Sequence, residues 1–162
     1  MRSGFCWLIA APLLISAAPP GRVPLGIFSG WGAFRDTSPP RCFAIATPES
    51  RGEGKWRSFA SVGIWPRQRI SGQVHFRLRV ARAPNSPVRL IFADRDFALT
   101  GGGVDAWAPG PREDAAIIAA MRSSTSMRIA WVSQDGRNRS DGYLLKGVAT
   151  AIDAAALGCA RR

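Results

Sequence analysis

From Gly72 to Val80 the chain reads GQVHFRLRV, and apolar and polar residues alternate without a break. Val74, Phe76, Leu78 and Val80 fall on one side, and His75, Arg77 and Arg79 on the other. A period of two predicts a strand with one face in a core and one in water, the habit of antiparallel sheets. No helix can place these residues that way, because its side chains return every 3.6 residues. The stretch therefore commits the middle of the chain to a sheet, and its neighbours must supply partner strands.

Those partners are visible on both sides. LGIFSGWGAFRD, Leu25 to Asp36, reads as an opening strand or two. RCFAIAT (Arg41 to Thr47) and WRSFASVGIW (Trp56 to Trp65) follow as strands, divided by the polar loop Pro48 to Lys55. VRLIFA and RDFALT, bent at Asp94 and Arg95, predict a hairpin. Gly101 to Gly103 open a flexible loop that carries Asp105, Trp107 and Pro109.

Pro111 to Cys159 then forms a unit that folds back on the upstream strands. Pro111 suits the first position of a helix, and Glu113 and Asp114 sit where the helix dipole favours acids. SMRIAWVSQ is a strand, and Asp135-Gly136 marks a tight turn. The partner strand centres on Tyr143 to Lys146. VATAIDAAAL makes an alanine-rich closing helix, with Gly158 stopping it before Cys159. The fold expected is mainly β: an antiparallel β-sandwich or open barrel of about eight strands, with one short helix before the C-terminal hairpin and another at the C-terminus.

The 162 residues fit one domain once the start of the chain is set aside. Arg2, the apolar run FCWLIAAPLLI and the small residues Ser16 to Ala18 have the order of a cleaved export signal, residues 1–18. Residues 19–162 then form a single β-rich domain. No stretch reaches the roughly 20 apolar residues of a membrane-spanning helix. Loss of the signal removes Cys6 and leaves Cys42 and Cys159. An oxidising compartment favours a disulfide between them, with two separate buried thiols as the alternative.

The formal charge is +11, carried almost wholly by arginine. Such a balance suits a polyanionic partner, and export argues against nucleic acid. His75, Arg77 and Arg79 share one strand face, and Arg67, Arg69, Arg82 and Arg89 lie close in sequence. They are candidates for gripping phosphate or carboxylate groups, against the alternative of a solvated face. Trp31, Trp56, Trp65, Trp107 and Trp131 could form a platform for sugars or belong to the core, and Trp107 in its Gly/Pro loop is the one expected to be exposed. The tentative binding set is thus His75, Arg77, Arg79, Arg89 and Trp107.

Catalysis has thin support in the sequence. His75 is the one histidine, and one histidine with two distant cysteines spaces poorly for zinc. Asp94 reads as a turn residue, and Glu113 and Asp114 as helix-start acids. Asp96 and Asp105 complete the acids from which a hydrolytic pair could be drawn. No cofactor or metal is expected. The reading is a non-enzymatic periplasmic or secreted domain that binds an anionic envelope polymer or an envelope protein. An exported hydrolase using His75 or an acidic pair is the alternative.

Three segments carry a family likeness: FSGWGAFRD leading to RCFAIA, DAAIIAAMRSSTSMRIAWV, and GYLLKGVATAID. Together they cover about half of the chain, and through them it resembles the invasion-associated locus B family of bacterial exported proteins. The resemblance implies a periplasmic or surface β-rich domain and supplies no active-site residues. The chain departs from the family's pattern between Gly101 and Pro111, where a further cysteine pair is missing.

Overall fold

The computed structural model describes residues 21–50 and 52–160. The expected export signal and Cys6 lie outside the described residues. Among the described residues, ten strands and two α-helices follow one another. Five strands come first: β1 (Arg22–Phe28), β2 (Trp31–Thr37), β3 (Pro40–Ala46), β4 (Phe59–Trp65) and β5 (Ile70–Arg77). Next are β6 (Val88–Ile91), β7 (Asp96–Gly102), β8 (Asp105–Trp107) and helix α1 (Pro111–Ser123). Strands β9 (Ser126–Val132) and β10 (Asn138–Leu144) and helix α2 (Val148–Ala160) complete the chain.

All strands belong to one open antiparallel sheet in the order β1-β2-β3-β4-β5-β8-β7-β6-β9-β10. The mainly β class, the helix before the last hairpin and the helix at the end agree with expectation. The strand count is ten rather than about eight. The opening segment resolves into two strands, β1 and β2, and β8 is new, three residues between glycine and proline runs and too short to show a period. Gly101 to Gly103 are correspondingly not a free loop: Gly101 and Gly102 end β7 and pair with β8. Gly101 has φ +131°, and a β-carbon there would lie 2.4 Å from the Asp105 carbonyl oxygen. Only glycine lets these backbones approach so closely.

Strand β7 hands the sheet from one half to the other. Its first residues, Asp96 to Leu99, pair with β6, and Thr100 to Gly102 pair with β8. The two far edges of the ladder then meet around the back. The Trp31 indole N–H of β2 donates to the Leu144 carbonyl at 2.9 Å. The Glu49 backbone N–H donates to Gly142 O of β10 at 2.9 Å. Gly147, at φ +88°, sits so tightly on Phe28 that any side chain would strike its carbonyl oxygen. The Glu49 bond thus satisfies one carbonyl of edge strand β10 that would otherwise be open.

The inner face holds one core. Ala33, Ala44, Val62 and Val74 lie side by side across β2 to β5. Helix α2 packs on β1 to β3 through Val148, Ala151, Ile152 and Ala155, a stripe at helical spacing. Small residues on both sides bring helix and sheet close. Cys159 continues the stripe one turn beyond Ala155 and forms a disulfide with Cys42 of β3, the pairing expected from the sequence. Gly158 does not stop α2, which runs on to Ala160 and so carries Cys159 within it.

Helix α1 is fixed differently. Asp114 in its first turn accepts a 2.7 Å hydrogen bond from the Val74 N–H of β5. Strand β8 pairs only with His75 to Arg77, so the earlier part of β5 lacks a partner on that side. Asp114 supplies one, and the burial this requires pushes its carboxyl above the usual value.

Candidate functional site

Every second residue of β4 points away from the core, and the outward set is Phe59, Ser61, Gly63 and Trp65. Two aromatic residues thus flank two small ones. Six residues of strand separate Phe59 from Trp65, about 20 Å at 3.3–3.4 Å per residue. The result is a trough of about 350 Å³ with Ser61 and Gly63 as its floor. Phe43 and Ile45 of β3 line one side, and Gln73 and His75 of β5 the other. Its volume lies within the roughly 300–1,000 Å³ of small-molecule sites.

An arginine sits at each end. At the Trp65 end, Arg41 lies 5.2 Å from the Trp65 ring and 5.0 Å from the Phe43 ring, and Arg22 lies 5.1 Å from Phe43. Asp36 holds both: Arg22 Nε donates to Oδ1 at 2.7 Å, and Arg41 Nε donates to Oδ2 at 2.9 Å. The Arg22 hydrogen bond keeps the Asp36 carboxyl below the usual carboxylate range against the opposing effect of burial, and Arg41 adds to it. Two guanidiniums share one carboxylate here, so one positive charge is left without a partner.

At the Phe59 end, Arg77 lies 5.7 Å from the Phe59 ring. Its Nε donates to Asp105 Oδ1 at 3.1 Å. The same carboxylate oxygen lies 2.8 Å from His75 Nε2. The imidazole is clamped: it stacks on Trp107 at 4.9 Å with 8° between the planes and meets Phe59 edge-on at 5.2 Å. Burial pushes the His75 value below its ordinary 6.5, although Asp105 pulls it the other way. The ring is therefore mostly neutral at pH 7, and the Asp105 oxygen beside Nε2 favours the tautomer that carries its proton there.

This sets a pH dependence. The folded protein binds the His75 proton less readily than the unfolded chain does. The stability tied to the neutral ring is complete above pH 6.5 and is lost as pH falls below that value toward the depressed one. Thermal unfolding followed from pH 7 to pH 5 is expected to show a steeper fall in midpoint for the wild type than for His75→Gln. Equal slopes would show that the ring's burial carries no energetic weight.

The five residues expected at a binding face are not together. His75 and Arg77 wall the trough. Trp107 supports His75 from β8 and is half-buried, not the exposed loop residue expected. Arg89 lies in the other half of the sheet on β6, exposed and paired with Asp96. Arg79 leaves the face altogether. Strand β5 ends at Arg77, and two residues later the guanidinium turns inward to the fully buried Asp141 of β10. The arginines near them in sequence are dispersed as well: Arg67 and Arg69 ride an exposed turn, and Arg82 donates to Ser86 O at 2.7 Å.

Arg22, Arg41, Phe43, Phe59, Ser61 and Gly63 line the trough and were not singled out by the sequence reading, which named Trp65 as one of five tryptophans that could form a sugar platform. One signal for them was present. The aromatic–small–small–aromatic order at alternate positions of WRSFASVGIW predicts a trough once its outer face is known.

The remaining acids are committed elsewhere. Asp94 pairs with Arg95 and Asp96 with Arg89. Among the described residues no three His, Cys, Asp or Glu side chains converge as a metal site would require. None of the described helices is long and apolar enough to cross a membrane.

No protein-family model matches the sequence, and no curated protein matches it. The crystal structure of invasion associated protein B from Bartonella henselae is similar, with a TM-score of 0.62 and 15% sequence identity. The alignment covers 84% of this chain and 98% of that one. At this identity the likeness establishes a shared fold.

Proposed function

We propose that this chain is a non-enzymatic exported domain, a divergent relative of the invasion-associated locus B proteins, and that it binds an anionic component of the cell envelope through the outer face of β3 to β5. The observation that carries the proposal is the trough itself: guanidiniums held over aromatic rings at both ends of a floor of small residues. Cations fixed in place by rings and carboxylates lose little freedom on meeting an anion. Export is supported by the order of residues at the N-terminus and by the Cys42–Cys159 bridge, which suits an oxidising compartment. Kinship is supported by the likeness noted in three sequence segments and by the common fold.

The hydrolase reading draws on one row of the sheet. Ser61 is the cross-strand neighbour of His75, and His75 bonds Asp105. Two features favour binding over catalysis. The Ser61 hydroxyl donates to the His75 backbone carbonyl at 3.3 Å rather than to its ring. The site also lies in mid-sheet, where the β3–β4 and β4–β5 ladders take up most of the backbone N–H groups that could serve a developing oxyanion.

The test is equilibrium binding of two soluble polyanions, polyglutamate and polygalacturonate, at two salt concentrations. At least one is expected to bind, more weakly at high salt, and the double variant Arg41→Gln/Arg77→Gln is expected to weaken it about tenfold or more, as loss of charge-assisted pairs does. Absence of binding to both, or binding that the double variant leaves unchanged, would overturn the assignment.

A further inference from the structure

We infer that the trough takes the acidic sugar units of a linear polysaccharide, with carbon rings over Ser61 and Gly63 and carboxylates at Arg41 and Arg77. This rests on the anionic-ligand reading above and narrows it from a charge to a chemical class.

Three observations select sugars. The first is spacing. The two anchoring arginines stand at opposite ends of β4, over Trp65 and Phe59. The Cα atoms of Trp65 and Phe59 are six strand positions apart, about 20 Å. A single small anion reaches one anchor, whereas an extended chain with repeated charges reaches both. The second is the unspent hydrogen-bonding capacity at the anchors. Arg41 gives only its Nε to Asp36, and Arg77 gives Nε and one terminal nitrogen to Asp105. A fork with free N–H groups suits a carboxylate.

The third observation is the chemistry between the anchors. Gly63 presents no side chain, and Ser61 and Gln73 present neutral polar groups. The Ser61 hydroxyl donates inward to the His75 carbonyl and keeps its oxygen lone pairs as acceptors. Hydroxyl-bearing rings meet neutral donors and acceptors, and their C–H edges suit the electron-rich aromatic faces that close each end.

Binding of four defined probes to the full chain tests the inference: hexagalacturonate, galacturonate monomer, a neutral galactose hexamer and hexaglutamate. Hexagalacturonate is expected to bind at least tenfold more tightly than each of the others. Arg41→Gln and Arg77→Gln are each expected to reduce that preference to near the monomer's level. Gly63→Val is expected to abolish it by filling the floor. Its β-carbon meets the Trp65 ring nitrogen at 3.1 Å, a side-chain contact that can give way, and circular dichroism confirms that the variant is folded. Hexaglutamate binding as tightly as hexagalacturonate would overturn the sugar assignment and leave the anionic reading standing. Equal affinity for monomer and hexamer would overturn the two-anchor arrangement, and failure of every probe and of both polyanions would remove both readings.

Discussion

Replacing Cys42 and Cys159 together by alanine is expected to lower the free energy of unfolding by about 4–5 kcal/mol, from the chain-entropy cost of a loop of this length. The bridge joins positions 117 residues apart, so nearly all of the described chain lies inside the loop. Without it the unfolded chain regains that freedom. The folded state loses little, since α2 keeps its stripe of Val148, Ala151, Ile152 and Ala155 against the sheet. Urea unfolding measures the effect. With a slope of about 2 kcal/mol per molar, the midpoint should drop by about 2 M. Reduction of the wild type should give the same drop, which separates loss of the crosslink from the loss of two buried sulfur atoms. A shift of less than about 0.5 M in both cases would show that α2 docking, not the crosslink, sets the stability.

Asp141→Ala is expected to cost about 3–5 kcal/mol, the usual consequence of leaving one member of a buried ion pair alone. Asp141 is fully inaccessible and its partner Arg79 nearly so. Arg79 also lies 5.5 Å from the Trp131 ring. Burial lowers the Arg79 value, so the folded protein holds this charge at a cost. The phenol of Tyr143, on the same strand as Asp141, is pushed well above its ordinary value by burial. Removing the carboxylate strands the guanidinium among these groups, and Arg79→Ala strands the carboxylate. The joint replacement Arg79→Met/Asp141→Leu should cost less than either single alanine change, because it removes both charges and keeps the volume. Chemical denaturation of the wild type, Arg79→Met, Asp141→Leu and their combination closes the cycle. A double variant as unstable as the sum of the singles would mean that the two residues act separately.

That pair also shows where sequence reading stops. The alternation of Val74 to Val80 is real as far as Leu78, and it places His75 and Arg77 outside and Val74, Phe76 and Leu78 inside. It continues in the letters through Arg79, but the backbone has by then left the ladder. Nothing local reports that exit, because a partner strand, not the strand itself, decides where pairing ends. The other member is hidden for the opposite reason. In NRSDGYL the aspartate faces inward and Leu144 is exposed, the reverse of what polarity predicts. The last strand accordingly runs Asn138–Leu144 rather than centring on Tyr143 to Lys146. Only the arginine arriving from β5 makes a carboxylate acceptable there.

Local rules did better where local forces decide. Pro111 with Glu113 and Asp114 marked the start of α1 correctly, and Asp135-Gly136 marked the last turn. The trough was half legible. Its floor lies in one strand and could be read by period, whereas Arg22 and Arg41 come from β1 and β3 and meet only through the carboxylate of Asp36.

The two halves of the sheet are spliced through β8, which offers β5 only three residues of pairing. So short a splice gains much from side chains, and those that cross it are the His75–Trp107 stack and the grip of His75 and Arg77 on Asp105. His75 and Arg77 also line the trough. A substitution that loosens this joint therefore shifts two residues of the trough as well.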